Sequence, residues 1–178
     1  NNKIYPGMTY NEVGQYVKNR GKQFIEALQH YKSDPVILSF YLLSLVTLQA
    51  RQKPLEQTGM ALYPFFVEGM MEGKNRGTNL IDGNELGFSY RSERQFVFSG
   101  EELRKWGSDF MPDSLKGIYN ETTISQPVFY DRIYATFPQY DEKFGLTQKA
   151  NWLYSNLYYA LKTSDKYVWF YNNKIDWW

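Results

Sequence analysis

Residues 80–85 read Leu-Ile-Asp-Gly-Asn-Glu and hold the densest polar chemistry of the chain. Two apolar residues run into Asp82, Gly83 permits a tight turn, and Asn84 and Glu85 follow. A strand ending this way sets Asp82, Asn84 and Glu85 on one rim. Asp131 closes a second such run, Pro127-Val-Phe-Tyr-Asp131, and carries the cation Arg132 beside it. Two carboxylates across one bond, one an acid and the other a base or nucleophile, are what hydrolysis of a glycosidic bond requires. Each residue has a plainer reading. Asp-Gly commonly caps a turn, and Asp131–Arg132, which as a functional pair would orient a sugar hydroxyl, reads more plainly as a structural ion pair.

Aromatic residues form the second group. The chain has 16 Tyr, 12 Phe and 5 Trp, or 19% aromatic. Such rings offer a flat apolar face with a polar handle, which suits a ligand groove as well as a core. Tyr167-Val-Trp-Phe-Tyr171 alternates as a strand does, so Tyr167, Trp169 and Tyr171 share one face and Val168 and Phe170 the other. Trp169 and Tyr171 at a strand end, with Tyr90, are the candidate sugar platform; filling the interior is the competing reading. Trp177 and Trp178 fold back on the body or join an interface.

These residues need elements to position them. Four short β-rich runs alternate with helical segments: Pro35–Phe40, Thr78–Asp82, Pro127–Asp131 and Lys166–Tyr171. Such alternation predicts an α/β fold with a parallel sheet, in which function collects at the strand ends. Thr9-Tyr-Asn-Glu12 is a capping box, and Val13, Val17, Phe24, Leu28 and Tyr31 follow at helical spacing, so a helix is expected over 9–31. A helix is expected within 57–73, where Pro64 starts or kinks it. Ser99-Gly-Glu-Glu102 reads as a second capping box opening a helix to Ser108. The last helix follows Gly145, with Leu153, Leu157, Ala160 and Leu161 as its apolar face. Residues 41–56 read as more strand or a long loop, 111–126 as mostly loop. Glu68 and Glu72 share a helix face and read as solvent-facing.

Composition removes several classes. A chain of 178 residues suggests one domain. A net charge of +1, with both signs mixed, lacks the basic footprint of nucleic-acid binding. No cysteine is present, which excludes disulfides and thiolate metal sites. The single histidine, His30, excludes Ser-His-Asp chemistry and multi-histidine zinc. It suits a helix C-terminus. No cofactor motif is found: Gly69 to Asn75 falls short of a phosphate loop. A carboxylate-held Ca²⁺ or Mg²⁺ is the one metal class left open. The longest apolar stretch, Val36 to Leu48, is too short to span a bilayer.

The phrase Ile81-Asp-Gly-Asn-Glu85 with Tyr90, and the ending Tyr159-Ala-Leu161, Tyr167-Val-Trp-Phe-Tyr171 and a terminal Trp pair, resemble a stretch of uncharacterised glycoside-hydrolase-like barrel proteins of environmental and gut bacteria. In those proteins the stretch is the C-terminal half of a (β/α)₈ barrel. The resemblance implies such a half-barrel, or alternatively an open parallel sheet. It implies a carbohydrate ligand, and an N-terminal segment or another chain that completes the fold. The absence of cysteine fits a periplasmic or secreted bacterial setting. Asp82, Glu85 and Asp131 would be the catalytic candidates, and Asn84, Tyr90, Arg132, Trp169 and Tyr171 the substrate-binding ones. A non-catalytic carbohydrate-binding or other ligand-binding α/β domain is the alternative function.

Overall fold

A computed structural model describes residues 6–131 and 145–172. Helix α1, Tyr10–Tyr31, starts at the expected capping box: Thr9 Oγ1 accepts from the Glu12 N–H at 3.2 Å, and the Thr9 N–H donates to Glu12 Oε2 at 2.7 Å. It packs along α3, Tyr63–Gly73, which Pro64 opens. The two backbones nearly touch. A Cβ on Gly21 would lie 1.9 Å from the Phe66 carbonyl oxygen, and one on Gly69 1.9 Å from that of Lys18. Only glycine allows this approach. Glu68 and Glu72 of α3 are not simply solvent-facing, because Lys18 of α1 bonds both, at 2.8 and 3.1 Å.

The expected strands form. β1 is Val36–Ser39, β2 is Asn79–Asp82 and the last, β5, is Val168–Tyr171. The third run is split into β3, Thr123–Ile124, and β4, Gln126–Phe129. β1, β2 and β3 make one parallel sheet; β4 and β5 make a second parallel pair. Ser125 joins the two and donates its N–H to the Asp82 carbonyl at 2.9 Å. The strands therefore follow one another in chain order, as right-handed βαβ units do. The fold is mixed α/β with small parallel sheets, and no closed barrel is formed among the described residues.

Helices occupy one side of the strands. Ile37 and Leu80 pack with Ile25, Val67, Met70 and Met71 of α1 and α3. Val128 and Val168 pack with Phe96 and Ala160 from α4, Glu93–Ser108, and α6, Leu146–Thr163. Alternation then turns Leu38, Ile81, Pro127, Phe129, Trp169 and Tyr171 to the opposite side.

Four expectations are corrected. Within 41–56 the chain forms neither strand nor plain loop but a short helix, α2, Ser44–Ala50. Within 111–126 it forms helix α5, Asp113–Tyr119, anchored by buried Leu115 and Tyr119, and then β3. Ser99 caps no helix. It sits inside α4 and donates to the Phe96 carbonyl at 2.9 Å, because buried Phe96 starts the helix a turn earlier behind Ser92. Leu161 leaves the apolar face of α6 and is 61% exposed, while Leu153, Leu157 and Ala160 pack inward.

Candidate functional site

The ends of β1 and β2 meet around Asp82. Helix α2 has no side-chain cap of its own at Leu43. Asp82 supplies one from the neighbouring strand. Its Oδ2 accepts from the N–H groups of Leu43 at 2.8 Å and Ser44 at 2.9 Å. Its Oδ1 accepts from Ser44 Oγ and from the Asn84 N–H, both at 2.9 Å. Burial pushes the carboxyl above the usual range, and these four bonds pull the other way. A carboxylate has about four lone-pair positions, and all are filled. Asp82 thus holds α2 and the following turn in place, with no oxygen directed at a ligand.

Asn84 makes that turn in the left-handed region, with φ 44 and ψ 50. Asn tolerates this conformation better than most residues. Its side chain is buried and donates to Gln126 Oε1 at 2.8 Å, while the Tyr90 hydroxyl lies 3.3 Å from its Nδ2. Gln126 in turn donates to Ser99 Oγ and to the Phe96 carbonyl, each at 3.3 Å. This network lies on the helix side of the strands.

A 3₁₀ turn, Glu85–Ser89, divides the two sides. Residues three apart eclipse in such a turn. Leu86 and Ser89 line a cavity on the helix side, between α2 and α4. Glu85 and Phe88 share the other side. Phe88 packs against Phe129, Trp169 and Tyr171, with ring centroids 4.9, 5.2 and 5.3 Å away. Phe40, just past β1, stacks on Trp169 at 4.8 Å and 18°. Five rings thus gather at the strand ends. The Tyr41 phenol lies beside Glu85, and burial first, then Glu85, pushes that phenol up to about 12.

The expected site residues therefore separate. Trp169 and Tyr171 meet on the aromatic face, with Glu85 on the edge of the turn that covers it. Asn84 and Tyr90 lie on the opposite, helix side, and Asp82 is a capping group. Asp131 is fully buried just past β4. Arg132, Trp177 and Trp178 lie outside the described residues. Sequence reasoning overlooked Phe40, Tyr41 and Phe88. The Phe in Phe40-Tyr41 closed a recognised strand and was a usable signal; nothing local connects Tyr41 to Glu85. No group of three or more His, Asp or Glu side chains able to hold a metal occurs among the described residues. None of the described helices is long and apolar enough to cross a membrane.

Comparison with family models, with curated proteins and with solved structures found no match.

Proposed function

We propose that this chain binds carbohydrate on the aromatic face at its strand ends, beside Glu85. The observation that carries the reading is the cluster of Phe40, Phe88, Phe129, Trp169 and Tyr171, with Phe40 54% exposed. Sugar rings present an apolar C–H face to flat aromatic groups, while their hydroxyls take hydrogen bonds from nearby polar groups. Ligands of parallel α/β folds bind at the strand ends, where this cluster stands.

The scaffold reads best as the C-terminal half of a (β/α)₈ barrel. Its strands follow in chain order, and Phe40 beyond β1 reaches Trp169 of β5. Three strand spacings would separate those strands by about 14 Å in a flat sheet, so their contact supports strong curvature. A half-barrel of this kind takes an N-terminal segment, or another chain, along its uncovered strand edges. A periplasmic or secreted bacterial setting suits a protein that meets polysaccharide.

Cleavage is the second reading, favoured by the Tyr41 phenol beside Glu85. A phenol that stays protonated steadies an adjacent carboxylate for acid–base or nucleophilic work. Hydrolysis needs a second carboxylate. Asp131 is the candidate for it, since Asp82 has its oxygens filled.

Titration with a panel of oligosaccharides, followed by tryptophan fluorescence, tests the binding reading. Phe40→Ala should stay folded, because the ring is largely exposed, and should lose saccharide binding. A variant that binds as well as the parent, or a parent that binds no saccharide, overturns it. For cleavage, Glu85→Gln should abolish product formation and keep binding; equal turnover by both proteins removes that reading.

A further inference from the structure

A separate cavity of about 280 Å³ opens on the helix side of the strand ends, between α2, the 3₁₀ turn and α4. It is close to the lower end of the roughly 300–1,000 Å³ usual for small-molecule sites. Leu48, Leu86 and Leu103 give it apolar walls. Arg51 and Glu102 also line it, bonded to each other at 2.8 Å. The guanidinium lies over the Trp106 ring, 4.5 Å from its centroid. Ring contact on one face and a carboxylate on one edge fix the orientation of Arg51.

Three hydroxyls on the wall share one bias, while Asn84, Tyr90 and Ser99, which also line it, are joined to one another through the Asn84 amide. Thr47 Oγ1 donates to the Ser44 carbonyl at 2.8 Å, Ser89 Oγ to that of Leu86 at 3.0 Å, and Ser44 Oγ to Asp82. Their protons are therefore committed within the protein, while their oxygens still carry acceptor lone pairs. Glu102 adds an acceptor and Arg51 adds donors, and together these two bring no net charge. An anion would meet Glu102 and a cation would meet Arg51. A neutral molecule bearing several hydroxyls suits the set, since each hydroxyl both donates and accepts. Neighbouring hydroxyls can bond Arg51 and Glu102 together without parting them.

We infer that this cavity is a second binding site, for one neutral polyhydroxylated molecule the size of a single sugar ring. The inference rests on the cavity's own residues and stands whether or not the aromatic face binds saccharide.

The test is titration of the whole chain with neutral monosaccharides and cyclic polyols, followed by ligand-observed NMR. Binding is expected in the parent and in Phe40→Ala, which takes the exposed ring from the aromatic face. Arg51→Met should weaken it at least tenfold. Thr47→Val, close to the parent in shape, removes one acceptor and should weaken it severalfold, which guards against misfolding of the Arg51 variant. No binding by any neutral polyol overturns the assignment. So does affinity unchanged in both Arg51→Met and Thr47→Val, or affinity lost in Phe40→Ala, which would move the sugar to the aromatic face. Tighter binding of a free amino acid or a simple carboxylate also overturns it, because the ligand would then be charged.

Discussion

The indole N–H of Trp169 donates to the carbonyl oxygen of Gly83 at 2.8 Å, across 86 residues of chain. This bond ties β5 to the turn after β2, over the top of the third strand run. A Cβ on Gly83 would stand 3.2 Å from the indole nitrogen, so the turn accepts the indole only narrowly. Trp169 is thus a fixed floor for the aromatic face, with Phe40 stacked on it as the exposed part.

Trp169→Phe keeps a ring and removes the donor. Stability should fall by about 0.5–1.5 kcal/mol for the bond, in urea unfolding. Saccharide binding should persist with reduced affinity, since a flat ring remains. Trp169→Ala should cost about 3–5 kcal/mol, the usual size for truncating a packed Trp.

Asp82 should behave as a structural group. Asp82→Ala leaves the N–H groups of Leu43 and Ser44 buried without their acceptor. At about 1–3 kcal/mol for each unsatisfied group, the loss should be about 2–6 kcal/mol in denaturant unfolding. Asp82→Asn should also destabilise, because its amide turns donors toward donors. A variant as stable as the parent would remove the capping role assigned here.

The strands were legible because each is a short apolar run bounded by proline, glycine or an acid, as in Pro35–Phe40 and Thr78–Asp82. Helix α1 was legible because both halves of its cap lie three residues apart. Helix α2 was not. Leu42 to Leu48 is nearly continuously apolar, so periodicity distinguishes no face, and its cap comes from Asp82, 38 residues beyond Ser44. The same holds for the site. The sequence placed Asp82, Glu85 and Trp169 at strand ends, but their partners are distant in the chain. Which side of the 3₁₀ turn each side chain takes depends on Phe88 meeting β4 and β5. The true start of α4 went unread: Ser92-Glu-Arg-Gln95 carries a capping spacing there, and Gln95 Oε1 accepts from the Arg91 N–H at 2.7 Å.

Two glycines should respond oppositely to alanine. Gly21→Ala drives a methyl into the Phe66 carbonyl and should cost about 1–3 kcal/mol or more from overpacking. Gly117, inside α5, has open space where its Cβ would stand. Gly117→Ala should therefore stabilise by about 0.5–1 kcal/mol through helix propensity. Thermal unfolding of the two variants beside the parent checks the pair.

Burial of Tyr41 beside Glu85 predicts a late-ionising phenol. Burial and the facing carboxylate raise Tyr41 from an ordinary 10.0 to about 12 in the folded state. The sign follows from linkage: a group raised on folding stabilises the native state fully below its unfolded value, here near 10, and loses that contribution as pH climbs through about 12. Tyr10, Tyr63 and Tyr119 are also raised, each mainly by burial, so the alkaline loss of stability is shared. Tyrosinate absorbance near 295 nm, recorded from pH 9 to 12.5, separates Tyr41 from these. Tyr41→Phe should remove one residue's amplitude from the late part of the curve and leave the early part unchanged. Glu85→Gln should keep that amplitude and shift it to lower pH, because burial remains while the neighbouring charge is gone. If the late amplitude is the same in all three proteins, Tyr41 does not face Glu85 in solution, and the carboxylate beside the aromatic face has no phenol to steady it.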